Sequence, residues 1–420
     1  MSILETISEK MTLRRRIILL LVVVALVLLT VFSLTFRDKL GLNPFTRFLT
    51  YDNETSNVSF PHNARSEDLF VSLDFKLLAC SEGAIQLFSG TGSTLASQQV
   101  EMEHPVAATN GKQAVIYDAG GHTLYVISKD KLIKPLELTE DQYILSATLN
   151  EKGWLAVTTK EDGYKGVITI LNSEFELFGS IRLSSYYLTN AIVSSDCTGI
   201  YALAATQSEG TYESKVLYYS FEQRTVQEDD PEDLVLEAPI IGGEAPSESE
   251  NEEEPAVSAS RAEDPVSQNS LGNSVVLMMK EFSNFCWILT ENALYIFTTS
   301  GELSAKYDFS GEYLKRASLD GTGFATLLLS HSPSGSAGKL VTIDHEGIVL
   351  GAKEFDDQIL YLTSAGRYLA VLTPNGIQVF NKDLGEISSS SHIQGVHSIS
   401  MFPDGTLAQI LDETVRLYIP

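Results

Sequence analysis

The chain has 420 residues, of which 44% are hydrophobic and 20% are charged, and its formal net charge at pH 7 is −26. This acidity argues against nucleic acid as a partner, because affinity for a phosphate backbone comes largely from Lys and Arg contacts. It also disfavours adsorption onto an anionic lipid surface. The length fits either several average domains or one domain built from repeats.

Near the N-terminus, twenty uncharged residues run from Ile17 to Phe36, with the sequence IILLLVVVALVLLTVFSLTF. A helix of this length spans ~30 Å, the thickness of the hydrocarbon core of a bilayer. A cleaved signal peptide is the competing interpretation, but no small-residue cleavage site follows the run. The pattern therefore predicts an uncleaved anchor, so the membrane is one partner of the chain.

The charges that flank this run predict its orientation. Lys10, Arg14, Arg15 and Arg16 precede it, whereas mixed charges follow it, so the N-terminus is expected to stay in the cytoplasm. The predicted organisation at the plasma (cell) membrane is a cytoplasmic stub (1–16), a single transmembrane helix (17–36), a juxtamembrane linker (37–55) and an extracytoplasmic domain (56–420).

The rest of the chain consists of short β-branched and aromatic runs separated by Gly, Asn, Asp and Ser turns, which is typical of all-β proteins. A hairpin pattern followed by a short apolar strand recurs eight times. The successive spacings are about 37 to 48 residues, with one interval of about 78, and a four-stranded propeller blade takes about 40 to 50. The third strand of each repeat is predicted to start at Ile85, Leu124, Ile168, Val216, Leu294, Leu340, Ile377 and Val415.

The long interval contains residues 227–272, with 14 acidic residues and one basic residue, Arg261. The segment is rich in Glu, Ser, Pro and Ala and predicts a disordered acidic insertion between blades four and five. It is either a solvated tether, a bait for a basic partner or a surface loop without a role.

The repeats predict a β-propeller of about eight four-stranded blades, or seven if a terminal repeat is degenerate. A β-sandwich or a stack of small β-domains is the alternative. The last repeat ends after its third strand, so a strand near Asn57 to Phe60 is expected to complete it and close the ring. Trp154, Phe324 and Tyr368 follow equivalent hairpin turns and are expected to pack between blades.

No residue pattern indicates catalysis, a cofactor or a metal, and the binding residues remain unknown. Cys80, Cys197 and Cys286 form no CxxC pair, and single thiols are favoured over a disulfide. Cys80 and Cys286 are expected to be buried in strands, and Cys197 is expected to be more exposed in a hairpin turn. His392 and His397 either converge at a propeller mouth or are turn histidines without a ligand. The seven histidines are scattered along the chain and comprise His62, His104, His122, His331, His345, His392 and His397.

Three known signatures are missing or incomplete. The spacing is WD40-like, but the GH…WD signature is missing, and TIDHEGIVL lacks the Trp of quinoprotein repeats. The DGTG sequence at Asp320 has no second copy to form the carboxylate pair of an aspartic protease.

The basic N-terminus, the single anchor and the degenerate repeats, with motifs such as YLTNAIVSSDCTGIYAL and VLYYSF, resemble an uncharacterised family of membrane proteins from Gram-positive bacteria. The family is a domain of unknown function. The resemblance covers nearly the whole chain and implies a setting in the cell envelope. It assigns no site residue.

Together these patterns predict a non-catalytic binding scaffold of the envelope that engages a protein, peptide or glycan through one face. The alternative is an envelope polymer lyase or hydrolase with its active site in the propeller funnel, since such sites draw residues from several blades. An extracytoplasmic sensor is a third interpretation. Carboxylates and histidines converging in the funnel would favour the enzyme, and an apolar or aromatic face would favour the scaffold.

Overall fold

The structure is a computed structural model that describes Val24 and residues 59–65, 68–90, 92–128, 131–208, 210–221 and 265–419. The predicted stub and linker, the predicted anchor apart from Val24, and residues 227–264 of the predicted insertion lie outside the described residues. No helix in the described part is long and apolar enough to cross a membrane. Asn57–Pro420 forms one compact unit.

Within the described ranges, 32 strands form eight four-stranded antiparallel sheets, each of which is one blade. The chain's first strand, β1 (Ser59–Pro61), belongs to the last blade. Blades 1 to 4 follow in chain order from the inner to the outer strand. Their strands are β2 (Leu69–Leu73), β3 (Lys76–Cys80), β4 (Ala84–Phe88) and β5 (Thr94–Gln99); β6 (Pro105–Thr109), β7 (Ala114–Asp118), β8 (Thr123–Ser128) and β9 (Lys131–Glu137); β10 (Tyr143–Leu149), β11 (Leu155–Lys160), β12 (Gly166–Leu171) and β13 (Leu177–Leu183); β14 (Tyr187–Val193), β15 (Gly199–Ser208), β16 (Thr211–Ser220) and β17 (Ser267–Ser270).

Blades 5 to 8 repeat the arrangement, and β1 supplies the outer strand of blade 8. Their strands are β18 (Val276–Phe282), β19 (Phe285–Thr290), β20 (Ala293–Thr298) and β21 (Leu303–Asp308); β22 (Tyr313–Gly321), β23 (Phe324–Ser330), β24 (Gly338–Asp344) and β25 (Val349–Phe355); β26 (Tyr361–Ala365), β27 (Tyr368–Thr373), β28 (Gly376–Asn381) and β29 (Glu386–Ser390); β30 (Ser398–Met401), β31 (Leu407–Ile410) and β32 (Thr414–Tyr418).

This arrangement confirms the all-β propeller and fixes the number of blades at eight. All eight predicted third-strand starts fall in the third strands, which are β4, β8, β12, β16, β20, β24, β28 and β32. The middle strands of a blade are mostly apolar and buried because neighbouring blades cover both of their sides; β23, for example, is buried throughout. Outer strands alternate between exposed and partly buried residues, as β21 does.

The hydrophobic core lies between blades. Eight separate clusters of buried side chains each join one blade to the next, so every interface of the ring has its own core. Blade 8 meets blade 1 through one such cluster, which contains Phe60 of β1, Phe88 of β4 and Val415 of β32. A blade therefore buries its apolar faces only when both neighbours are present.

Ring closure depends on β1, as the sequence predicts. It pairs antiparallel with β32, with Phe60 opposite Val415. The Phe60 side chain is 5% exposed, and its ring centroid lies 5.1 Å from that of Phe88. Gly92 makes room for this ring, because a Cβ at that residue would lie 2.5 Å from Phe60 Cδ1.

The position of the acidic insertion differs from the prediction. Residues 267–270, inside the predicted 227–272 segment, form β17, the outer strand of blade 4, which pairs with β16. The insertion therefore interrupts blade 4 between its third and fourth strands instead of separating blades four and five. The sequence of β17, SQNS, has no apolar side chain because this outer strand faces solvent. The same four residues are therefore indistinguishable from a loop in the sequence.

Two faces can be defined from the strand directions. The inner strands of blades 6 and 7 run parallel, as the parallel bridge between Gly321 and Gly366 shows. The upper face is the one at which the inner strand of each blade begins. The lower face carries the turns between the first and second strands.

Replacing Phe60 with Ala is expected to lower the free energy of unfolding by about 3 kcal/mol or more, since it empties the contact that closes the ring. Urea denaturation of the full chain followed by circular dichroism measures the change. Ile387→Ala, at a side chain that is 45% exposed on β29, is the control and should change stability by less than about 0.5 kcal/mol. Equal losses in the two variants would contradict the role given to β1.

Candidate functional site

Exposed apolar side chains concentrate on the upper face of blades 3 to 6. Among the described propeller residues, eight of the fourteen large apolar side chains that are exposed lie there. The other six lie on or beside outer strands. We name the eight the tyrosine arc; they are Tyr143, Leu145, Tyr164, Tyr187, Tyr212, Val275, Leu277 and Tyr313.

The arc follows from equivalent positions in successive blades. Tyr143, Tyr187 and Tyr313 are each the first residue of an inner strand, and their exposed fractions are 44%, 58% and 49%. Blade 7 has Tyr361 at the same position, where the side chain is partly buried. The inner strands surround the central channel, so these tyrosines stand around part of its upper mouth.

Cations stabilise the tyrosines of this face. Lys165 Nζ lies 5.0 Å from the ring centroid of Tyr187, and Arg182 Cζ lies 5.8 Å from that of Tyr164. Each such pair contributes about 0.5–1 kcal/mol at an exposed site. Tyr186 and Tyr361 have comparable partners, Lys215 and Arg316. Within the arc, Tyr164 and Tyr187 thus each have a cationic partner.

A hairpin borders the arc on blade 4. β15 and β16 pair as far as Ser208 and Thr211, whereas the inner strand β14 pairs with β15 only as far as Ala205. The tip therefore extends about 10 Å beyond the inner strand, at ~3.3 Å per residue. Tyr212, which is 49% exposed, lies on this extension. The exposed apolar side chains of blades 3 to 6 thus lie beside a projecting hairpin.

On the lower face, the turns of neighbouring blades bond to one another. Asn110 Nδ2 donates to the Asn150 carbonyl oxygen at 2.8 Å, and Asn150 Nδ2 donates to the Ser194 carbonyl oxygen at 2.9 Å. Each asparagine also accepts backbone N–H groups of its own turn. Further bonds between turns of neighbouring blades join Asp74 to Gly111, Ser195 to Asn284 and Thr322 to Gly366.

Three carboxyl groups converge at the lower mouth near blade 4. Glu281, at the lower end of β18, is 3% exposed, and burial raises its pKa to about 7. The carboxylates of Glu151 and Asp196 raise the same pKa further, while hydrogen bonds from the Ser195 hydroxyl and the Glu151 N–H oppose them. A carboxyl group that is about half protonated near pH 7 is therefore enclosed in the turns of this face.

The histidines do not converge. His392 and His397 are both exposed and lie in the connection from β29 to β30, on the upper face of blade 8. His397 Nε2 lies 2.8 Å from Asp412 Oδ1 of the same blade. His62 is buried, and its Nε2 lies 3.0 Å from the Leu411 carbonyl oxygen, so it joins β1 to blade 8. His345 stacks against Phe285 at 4.9 Å.

The three cysteines and Asp320 lie in or beside strands of the propeller. Cys80 and Cys286 are buried thiols, and Cys197 is partly exposed in a lower-face turn, as predicted. Asp320 forms an ion pair with Lys280 of blade 5. No group of three His, Cys, Asp or Glu residues within the described ranges has the geometry to hold a metal ion.

The three aromatic residues predicted to pack between blades do so. Trp154 of blade 3 stacks on Phe221 at the end of β16, with ring centroids 6.2 Å apart. Phe324 belongs to the core between blades 6 and 7. Tyr368 packs against the core between blades 7 and 8.

Comparison with known proteins gives a family match to part of the chain and supports the fold. Residues 47–235 match the model of DUF5711, a family of unknown function. The C-terminal WD40 domain of Sif2 is similar in structure, with 13% identity, coverage of 84% of this chain and 96% of that chain, and a TM-score of 0.51. A eukaryotic initiation factor is similar with 11% identity, 87% and 89% coverage, and a TM-score of 0.50. None of the curated proteins matches the sequence.

These likenesses bear on the fold alone. At such low identities they support a propeller and assign no partner or activity. The family match spans blades 1 to 3 and most of blade 4, and it agrees with the predicted resemblance to a domain of unknown function. The membrane setting and the bacterial group that this resemblance implies stay predictions.

Asn150→Ala is expected to lower the free energy of unfolding by about 2–3 kcal/mol, because a buried side chain loses bonds within its turn and to blade 4. Asn172→Ala is the matched control, since Asn172 accepts N–H groups in its own turn and makes no bond to another blade in the described part. It should cost about 1 kcal/mol. Equal losses, measured by urea denaturation, would mean that the bond between blades contributes nothing.

Proposed function

We propose that the chain is a membrane-anchored, extracytoplasmic propeller that acts as a non-catalytic interaction scaffold in the cell envelope. Its partner is a protein, which binds the tyrosine arc on the upper face of blades 3 to 6. The observation that carries the proposal is the concentration of exposed tyrosines and aliphatic side chains in this one region. An aromatic face is the outcome that favours a scaffold over a funnel enzyme.

The composition of the arc suits a protein partner. Tyrosine provides a large contact area with little loss of conformational entropy, and it is enriched among the residues that dominate binding energy at protein interfaces. The cation–π partners, such as Lys165 beside Tyr187, reduce that entropy loss further. Large exposed apolar patches are unusual on a monomer and commonly mark interaction sites.

The membrane setting is supported by the sequence alone. The apolar run from Ile17 to Phe36 has the length of a membrane span, and the basic residues before it favour a cytoplasmic N-terminus. A scaffold with this topology presents the propeller outside the cytoplasm. A glycan is the outcome that the binding experiment below separates from a protein.

A funnel enzyme is the second candidate, and the lower-mouth carboxyl groups favour it. Carboxyl groups whose pKa values are driven apart are a feature of acid–base catalysis. Glu281 is 3% exposed, however, so its carboxyl group has no open approach for a polymer. Turnover of a cell-wall polymer by the purified full chain, abolished by Glu281→Gln or Glu151→Gln, would replace the scaffold proposal.

The topology predicts that a protease added to intact cells digests the propeller and spares an N-terminal epitope placed before Ile17. Immunoblotting with antibodies to an N-terminal and a C-terminal tag measures this. Lysed cells provide the control in which both tags become accessible. A C-terminal tag that survives in intact cells and is lost only after lysis would contradict the extracytoplasmic location.

The binding proposal predicts that the triple variant Tyr143→Ser, Tyr187→Ser and Tyr313→Ser loses its partner. Each tyrosine side chain is about half exposed, so the propeller should lose little stability while the amount of captured partner falls at least about tenfold. The measurement is proximity labelling and pull-down of the full chain in its native membrane, with the retained protein identified by mass spectrometry.

The matched control replaces three exposed apolar residues on outer strands, with Leu95→Ser, Leu303→Ser and Ile387→Ser. The same protein should be captured by the wild type and by this control. Equal capture by the arc variant, or equal loss in both variants, would rule out the arc as the binding surface. Capture that survives protease treatment of the extract and fails after glycosidase treatment would indicate a glycan.

A further inference from the structure

The turns of two non-adjacent blades are joined at the lower mouth. Glu281 Oε2, in blade 5, accepts a hydrogen bond from the N–H of Glu151, in the lower-face turn of blade 3, at 3.3 Å. Glu151 Oε1 in return accepts the N–H of Ser283, in the lower-face turn of blade 5, at 3.0 Å. The two bonds pass over the intervening blade 4. They form a reciprocal link across this part of the mouth.

The link places negative groups together, and no cation is among the groups that shift the pKa of Glu281. Glu281 Oε1 is buried and has no hydrogen-bond partner among the described residues. Besides Glu151 and Asp196, the ionisable groups that face the Glu281 carboxyl are the thiols of Cys286 on β19 and Cys197 in the turn of blade 4.

The lysines that adjoin Glu151 and Glu281 in the sequence bond to other groups. Lys152 Nζ donates to the Asp196 carbonyl oxygen at 3.1 Å, and Lys280 pairs with Asp320 of blade 6. Ionised Glu281 would therefore be a buried charge that faces two other carboxylates. Such a charge is costly, and the cost is relieved when the group reaches water.

We propose that Glu281 and Glu151 form a proton-controlled latch that joins the lower-face turns of blades 3 and 5. Protonated Glu281 keeps the latch closed, because a neutral carboxyl group tolerates burial beside Glu151 and Asp196. Ionised Glu281 favours separation of the turns, which admits water to the lower mouth. The latch lies on the face opposite the tyrosine arc, so it stands or falls independently of the proposed function.

The direction of the pH effect follows from the pKa of Glu281, which is raised to about 7 from 4.5 in the closed state. In the open state the group is hydrated and has its ordinary pKa. The closed form therefore holds a proton that the open form has lost throughout the interval between these two values. Opening is expected to increase by up to about tenfold per pH unit between pH 5 and 7 and to level off above pH 7.

Trp287 provides a reporter beside the latch. It is fully buried, stacks on Phe282 with ring centroids 4.7 Å apart, and follows Cys286, the residue opposite Glu281 in the β18–β19 pair. The chain has two tryptophans, so Trp154→Phe leaves Trp287 as the only one. Its emission in the full chain, held in detergent micelles, is recorded from pH 5 to 9.

The expected result is a transition in Trp287 emission with a midpoint near pH 7 that disappears when Glu281→Gln is added. Hydrogen exchange of the Glu151 and Ser283 amides, corrected for the intrinsic rate, should show protection that falls from pH 5 to 7 in the Trp154→Phe chain and stays constant in the Gln variant. A flat emission curve in the Trp154→Phe chain, or an unchanged transition when Glu281→Gln is added, would overturn the proposal.

A second variant keeps the test decisive if Glu281→Gln fails to fold. Glu151→Gln retains an acceptor for the Ser283 N–H and removes one repelling charge, so the emission midpoint should move to lower pH. Glu174→Gln, at an exposed carboxylate of another lower-face turn in blade 3, is the matched control and should leave the midpoint unchanged. Equal shifts in the two variants, or exchange protection at Glu151 and Ser283 that is independent of pH, would exclude the latch.

Discussion

Burial between blades is the constraint on which this molecule depends. Each of the eight interfaces encloses its own apolar cluster, so a blade that lacks a neighbour exposes a whole core face. A fully buried Leu or Phe contributes about 1.5–3 kcal/mol, whereas a hydrogen bond contributes about 1 kcal/mol net. The apolar clusters therefore supply most of the stability, and the ring must close for all of them to form. Closure rests on three residues of β1, with Phe60 at their centre.

The two faces of the ring display different side chains. On the lower face the turns are short, and side chains such as Asn110 and Asn150 bond each turn to the next. Those bonds connect the turns of neighbouring blades. On the upper face, the connections of blades 3 to 6 instead display the exposed side chains of the tyrosine arc. A surface that ring stability does not require can take on a binding role.

Much of the ring could be predicted from the sequence because its signal is repeated. A strand start such as Ile168 or Leu340 is weak alone, but regular spacing across eight repeats identifies the blades. The outer strand β17 was not predicted, because an exposed strand needs no apolar residue and SQNS contains none. The predictions for the chain before residue 59 are not tested, because the predicted anchor, apart from Val24, lies outside the described residues.

The site could not be predicted in the same way. Tyr143, Tyr187 and Tyr313 form a surface only because each begins an inner strand, and the position of that first residue is the least certain part of a strand prediction. Glu281 and Glu151 meet only because two non-adjacent turns approach each other across blade 4. No spacing in the sequence encodes that approach. The repeated tyrosines before apolar runs were the one signal available.

The two outer strands that arrive from a distance reveal a division of the ring into halves. Blades 4 and 8 lie diametrically opposite in an eight-bladed ring. The outer strand of blade 4, β17, follows the acidic insertion, and the outer strand of blade 8, β1, comes from the other end of the propeller sequence. The segment that precedes the acidic insertion builds blades 1 to 3 and most of blade 4, and it gives β1 to blade 8. The segment that follows the insertion builds blades 5 to 8 and gives β17 to blade 4. The halves thus exchange one strand each and clasp each other at both seams, so a cut in the insertion would leave two fragments interlocked by reciprocal strand exchange.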